Sequence, residues 1–394
     1  MKACVFALLD RYAARWVNFG LVSPCIAVLG ARSAPKRYCE PSKGILIGIS
    51  RASPWLVLLT VGIAALGAEA WAEAAQAPAP KPDSGAAPHV AIAKKAAGQE
   101  HLALFNNICT PPPPIQPPQA GRQGGAAPQG PPPAPPRAEW YAAPVKVFDN
   151  LYWVGQTEYT AWAVTTSEGI IVIDPLFEYS VEEEVVNGLT KLGLDPKSIR
   201  YVVVSHAHRD HVAGAPLLQQ RGARVVMSAA DWDFLATDPG RWPKAKKDIV
   251  ATDGYKLTLG DTTLALYLTP GHTPGTISTI IPVRDGSSRH VAVLWGGTGF
   301  NWRSGSPRYI QLKTPATFWY ESYANSARKL RDVAAKAGAD IVLSNHPQYD
   351  NSTTRLPMMA KRAAGQPNPY VIGRESVGRF LTVAEECAIA GPLW

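Results

Sequence analysis

Between Ser205 and Val212 the chain reads His206-Ala-His208-Arg-Asp210-His211, four metal-ligating side chains within six residues. Two further histidines stand in turn-forming contexts, His272 in Pro270-Gly-His-Thr-Pro-Gly275 and His346 in Ser344-Asn-His-Pro347. Imidazole and carboxylate suit zinc, and three protein ligands with one open position are what a catalytic zinc ion requires. Residues two apart in an extended segment project to the same side, so His206 and His208 can share one ion, with His272 supplying its third nitrogen. Asp210 and His211 can address a second ion that His346 completes. Two Zn2+ ions so placed would lower the pKa of a bound water from 15.7 toward about 7 and supply hydroxide at neutral pH. In a chain with only 8 histidines, such a four-position match arises by chance on the order of once in several thousand chains. His89, His101 and His290 lie outside the pattern and are expected to be structural.

Each of these positions follows a stretch that reads as a strand. Apolar runs and alternations predict strands over Val145–Val154, Thr160–Thr165, Ile170–Ile173, Tyr201–Val204 and Arg224–Ser228, then Tyr255–Leu259, Thr263–Thr269, Thr276–Val283, Val291–Trp295 and Asp340–Leu343. Helices are expected from a Ser180-x-x-Glu183 capping box to about Leu192, over Ala213–Gln220, Ala229–Leu235 and Ala316–Ala337, and finally over Ser376–Ala390. The result is an α/β domain over 139–394, with its polar clusters on loops at strand ends, where such folds place their sites.

The net charge of +8 from 39 Lys+Arg and 31 Asp+Glu would by itself suggest nucleic acid or a membrane surface. It is unevenly spread, however. Residues 1–72 hold +5 of it, flanking an apolar run over residues 54–68 that ends near Ala70-Trp71-Ala72. That run is too short for a membrane span of roughly twenty residues but fits a signal-peptide core. Residues 1–72 are therefore expected to be an N-terminal extension plus a secretory signal, and the mature chain a periplasmic or secreted protein without stable membrane insertion. The remaining +3 gives no argument for nucleic acid. Residues 73–138, rich in Pro, Ala and Gly, are expected to be a largely extended linker, with His101–Cys109 able to dock on the domain. Of 5 cysteines only Cys109 and Cys387 follow the signal, and in an oxidising compartment they can pair.

Through His206-Ala-His-Arg-Asp-His211, Pro270-Gly-His272 and Asn345-His346-Pro347 the sequence resembles the metallo-β-lactamase superfamily over about residues 145–350. The resemblance implies an αββα sandwich with a dinuclear zinc site at its edge. Asp174, ending its strand, matches the family's early acidic position and would orient a ligand from behind. Many hydrolases of the superfamily place a bridging Asp in a Gly-Asp pair after a later strand. Here that strand ends Leu294-Trp-Gly-Gly-Thr-Gly-Phe300, and Thr298 stands at or next to the position. Nor is it the Cys ligand of one lactamase subclass, so the pattern is most like class B, subclass 3. Pro175 after Asp174 and the stretch Gly299-Phe-Asn-Trp-Arg303 depart from that pattern. The implied function is an exported β-lactamase conferring antibiotic resistance, whose zinc-bound hydroxide opens the amide of a small-molecule substrate. Thr298, Asn301 and Arg303 are candidates to hold that substrate's carboxylate. A lactonase or other metallo-hydrolase of this fold, and a cell-envelope interaction protein with a structural metal site, are the alternatives.

Overall fold

The computed structural model describes residues 85–111 and 133–394; the expected signal segment, the first part of the linker and residues 112–132 lie outside the described residues. Helices α1 (Ala86–Ala97) and α2 (Leu102–Ile108) form an N-terminal arm, followed by the short α3 (Arg137–Trp140). Strands β1 (Val145–Lys146), β2 (Leu151–Trp153), β3 (Trp162–Thr166), β4 (Gly169–Ile173), β5 (Ile199–Val203), β6 (Arg224–Ser228) and β7 (Ile249–Ala251) make one sheet in that spatial order. Between them run α4 (Asn187–Lys191), α5 (Arg209–Val212), α6 (Ala215–Gln220) and α7 (Ala229–Ala236). The second sheet holds β8 (Tyr255–Leu259), β9 (Thr262–Leu268), β10 (Ile277–Asp285), β11 (Ser288–Trp295) and β12 (Ile341–Ser344), ordered β12-β11-β10-β9-β8. The helices α8 (Pro307–Gln311), α9 (Ala316–Ala337), α10 (Ser352–Ala360) and α11 (Arg374–Ala390) complete the fold.

Strand alternation explains why two sheets stack and helices cover them. Trp162, Val164, Ile171, Ile173, Val203, Val226, Leu294 and Leu343 share one core between the sheets. Their immediate neighbours Ala163, Val172, Val202, Val225, Val293 and Val342 belong to a second core that includes the helices α9 and α11. Successive residues on a strand face opposite sides, so a strand apolar at every position must be covered twice, and an αββα sandwich results.

Two expectations are corrected. The segment Ala86–Ala97 is helical rather than extended: it offers small side chains, and Ala93 and Ala97 pack in the core that contains Phe380, Leu381 and Ala384 of α11. Bulk on the receiving helix compensates for its absence on the arm. The Ser180–Glu183 capping box does not form either. The Ser180 hydroxyl is buried and turned back to the Phe177 carbonyl, and Glu183 bonds to Arg137, Lys191 and Asn187. The helix there opens with a π-helical turn, Glu182–Val186.

That turn carries Glu184, a buried carboxyl accepting from Ala142 N at 3.0 Å. Burial, followed by repulsion from Glu183, pushes it up to about 8 from its ordinary 4.5. Because the folded value is the higher one, the native state resists ionisation that the unfolded chain undergoes freely. Stability is thus full below pH 4.5 and falls as pH rises to about 8. Glu184→Gln keeps the acceptor oxygen and removes the titration. Its melting temperature should exceed that of the wild type by roughly 5 °C at pH 9 and match it at pH 4; equal pH profiles would refute this.

Candidate metal centre

Five loops at one edge of the sandwich meet here. β5 delivers Ser205–His211, β9 leads into Thr269–Thr276, β11 into Gly296–Phe300, β12 into Asn345–His346, and β4 ends on Asp174. The structure brings His206, His208 and His272 into one set and Asp210, His211 and His346 into another, with the ligand atoms of each within 4.8 Å of one another.

Hydrogen bonds behind the rings decide which nitrogen faces inward. His206 Nδ1 donates to the Gly296 carbonyl at 2.8 Å and His272 Nδ1 to the Gly299 carbonyl at 2.8 Å. Their Nε2 lone pairs therefore face each other, 3.2 Å apart. For His208, the Tyr309 hydroxyl donates to the His272 carbonyl at 2.7 Å and so accepts from His208 Nε2 at 2.9 Å. This leaves His208 Nδ1 lone-paired, 3.2 Å from His272 Nε2. Three lone pairs converging at such distances repel unless a cation lies between them. A tetrahedral ion with Zn–N bonds of about 2.0–2.1 Å sets its nitrogens about 3.3 Å apart, which these spacings fit.

The second set has its own logic. His346 Nδ1 donates to the Glu158 carbonyl at 3.0 Å, and its Nε2 lies 3.9 Å from Asp210 Oδ2. His211 is held between carboxylates, Nδ1 3.1 Å from Asp174 and Nε2 3.1 Å from Asp210. Both contacts lack hydrogen-bond alignment, so buried Nε2 is an orphan aimed at the site. Burial opposes charge on His211, but Asp210 and then Asp174 outweigh it and raise the ring to about 10. The pair of carboxylates demands a cation at this point, a proton or a metal ion. Burial lowers His206, His208 and His346, and lowers His272 to about 4, so these four rings stay neutral ligands. Asp210, despite burial, is kept ionised by the imidazoles around it, His211 first.

Asp174 sits at φ 57°, a left-handed conformation that Asp tolerates better than most residues. It accepts from Ser205 N and Oγ, both at 2.8 Å, and from Asn345 Nδ2 at 2.6 Å. One side chain thereby ties the ends of β4, β5 and β12 together behind His211. Of the other sequence candidates, Thr298 is buried at the wall with its hydroxyl 3.4 Å from Ser344 Oγ. Asn301 is exposed and Arg303 half-buried, and all three line a cavity of about 610 Å³ that also contains Asp210, His272 and His346. His89, His101 and His290 stand apart, the first and last paired with Glu386 and Asp340. Cys109 and Cys387 form a disulfide.

Sequence reasoning missed Asp231 and Tyr309. Asp231, fully buried on α7, accepts from Ala207 N, Thr273 Oγ1 and Gly275 N at 2.7–2.8 Å, locking the His208 loop to the His272 loop. Its only sequence signal was a place three residues after the N-cap Ser228, and Tyr309 had none. The Gly296-Gly297 pair was noted in the sequence, and the structure explains it: a Cβ on Gly297 would lie 2.6 Å from His272 Cβ. Gly297→Ala should push that ring out of place and weaken zinc binding at the three-histidine set by about 10–100-fold. Competition with a chromophoric chelator measures it, and unchanged affinity would show that the loop yields freely.

Residues 154–285 match the metallo-beta-lactamase superfamily. The metallo-beta-lactamase FEZ-1 from Legionella gormanii is 26% identical in sequence and superposes with a TM-score of 0.51 over 61% of this chain and 91% of its own. BJP-1, a subclass B3 metallo-beta-lactamase of Bradyrhizobium japonicum, shares the fold with a TM-score of 0.51 at 24% identity, over 63% and 93% of the two chains. Among curated proteins, the N-acyl homoserine lactonase AttM of Azorhizobium caulinodans is 27% identical over 190 residues, 45% of this chain and 69% of the relative. AttM of Agrobacterium fabrum is 28% identical over 176 residues, and the match spans 64% of its length.

Proposed function

We propose that the chain, whose residues 154–285 match the metallo-beta-lactamase superfamily of metal-dependent hydrolases and which superposes on FEZ-1, is an exported dinuclear zinc enzyme that opens the amide of a β-lactam ring. The observation that carries this reading is the make-up of the two ligand sets. Among the described residues Asp210 is the one carboxylate in either set, and Thr298 stands on the wall where a bridging acid would be expected. Arg303 adds to it. Arg303 lines the cavity, its Nε is buried without a partner, and it forms no ion pair among the described residues; burial lowers its pKa. A half-buried cation with no acidic partner among the described residues favours an anion on the ligand. Fused-ring β-lactams carry a carboxylate beside the ring, whereas N-acyl homoserine lactones do not. The Cys109–Cys387 disulfide supports export, since such bonds persist in oxidising compartments.

When bound, zinc supplies hydroxide at neutral pH and polarises the substrate carbonyl. The residues of the chain supply the rest. Asp210, held ionised, accepts a hydrogen bond from the attacking water and fixes its approach. Water oxygen bonds to the carbonyl carbon, the ring C–N bond breaks, and the nitrogen leaves with the proton. Arg303, Thr298 and Asn301 hold the carboxylate and keep the ring in register with the ligand sets.

Turnover of a panel of β-lactams and lactones by zinc-loaded protein tests the proposal. Arg303→Ala should raise KM for benzylpenicillin by about 10–100-fold, the range expected for a lost charge-assisted hydrogen bond. Cleavage of lactones alone would overturn the β-lactam reading in favour of a lactonase, the second reading, which the names of the curated relatives favour.

A further inference from the structure

The cavity at the ligand sets has one wall that comes from outside the sandwich. Asn107 and Thr110, at the end of the N-terminal arm, line it together with His208, Asp210, His272 and His346. The register of α2 is fixed from behind, because Leu104 and Ile108, one turn apart, are buried. Immediately after them Cys109 is bonded to Cys387 of α11. Asn107 is therefore held on the exposed face of α2, and its amide has no hydrogen-bond partner among the described residues. It lies beside Gly299, where Asn107 Nδ2 and Asn301 Oδ1 are the nearest neighbours a Cβ would meet, at 3.9 and 3.5 Å. Gly299 is the residue whose carbonyl orients His272. One residue past the disulfide, the Thr110 carbonyl accepts from Arg303 Nη2 at 3.2 Å, so the arm also sets the guanidinium.

We propose that the disulfide-tethered arm is part of the substrate site and that Asn107 is a specificity-determining residue, its side-chain amide pairing with the acylamino arm of a ring substrate whose carboxylate meets Arg303. This rests on the reading of the protein as a hydrolase of small cyclic amides or esters. An amide is the matching chemistry for Asn107, which offers one donor and one acceptor group on a short side chain. The rest of the arm is anchored independently of the disulfide. Buried His101 Nε2 lies 2.9 Å from the Ser376 carbonyl, and Arg355 Nη2 donates to Glu100 at 3.0 Å. Loss of the disulfide should loosen the last turn of α2 and leave α1 docked.

Two substrate pairs isolate the acylamino arm: benzylpenicillin against 6-aminopenicillanic acid, and N-hexanoyl homoserine lactone against γ-butyrolactone. Asn107→Ala should raise KM about fivefold for the acylated member of whichever pair is hydrolysed, with kcat and the bare ring affected less than twofold. Asn106→Ala, at the neighbouring exposed position, serves as the control and should change neither. The Cys109→Ala/Cys387→Ala protein should exchange amide hydrogens faster at residues 107–110 and 300–304, with α1 unchanged. Equal KM shifts for acylated and bare substrates, or unchanged exchange at 300–304, would overturn the inference. If β-lactams are not hydrolysed, the proposed function fails while the lactone pair still reads the arm. If neither pair is turned over, calorimetric binding of the same four compounds replaces KM, and equal or absent binding of acylated and bare compounds overturns the role of Asn107.

Discussion

Asp210→Ala should lower turnover by three orders of magnitude or more while the protein remains folded, and on the proposed dinuclear reading bound zinc should fall from about two ions to one. The magnitude follows from what the carboxylate does. It is the anionic member of its ligand set, and its Oδ2 faces both His211 Nε2 and His346 Nε2. Without it the His211–His346 set would lose a ligand and the proposed attacking water its acceptor; an effect of roughly 4 kcal/mol on the barrier is about a thousandfold in rate. The fold survives because Asp210 faces the cavity rather than the core, and because His211 keeps its contact with Asp174. Metal analysis, circular dichroism and steady-state kinetics on one preparation check all three statements. Retained activity in this variant, or in protein stripped by a chelator, would reject the proposed scheme.

Reduction of the disulfide, or the Cys109→Ala/Cys387→Ala pair, lowers the melting temperature by about 10 °C. The two cysteines are 278 residues apart, so the cross-link restricts nearly the whole domain in the unfolded state. Closing a loop of that length is worth about 3–5 kcal/mol, and each kcal/mol corresponds to a few degrees in a domain of this size. The native state keeps most of what it has without the bond, because Ala93, Ala97, Leu104 and Ile108 remain buried in the core that α11 shares. The loss should therefore appear in stability, with circular dichroism at 25 °C unchanged. Equal melting temperatures with and without reductant would refute it, as would two free thiols in the mass of the unreduced protein.

Much of the fold was legible because its signals are local. A buried strand between two layers must be apolar on both faces, and Ile170–Ile173 and Tyr201–Val204 announce themselves for that reason; they stand as β4 and β5, within a residue or two. The long α9 spans Ala316–Ala337, the residues its periodicity marked. The capping box failed because the Ser180 hydroxyl turns back to the Phe177 carbonyl and Glu183 pairs with Arg137 and Lys191. The arm failed as a linker because composition measures what a segment brings to a contact and says nothing of the surface that receives it.

The same division runs through the site. His-x-His-x-Asp-His places four candidate ligands on one loop, the turn contexts of His272 and His346 supplied two more, and the structure gathers these six side chains in two sets of three. Sequence alone also indicated which cysteines were available to each other. Only the tertiary structure decided which ring nitrogen faces inward, since that depends on carbonyls of Gly296, Gly299 and Glu158 far away in the chain. It alone showed Asp231 and Tyr309 behind the rings and Asn107 on the cavity wall, positions that come from packing between elements tens to hundreds of residues apart. Candidate ligands are written in local chemistry; the hydrogen bonds that aim them and the wall of the cavity arise only when distant segments meet.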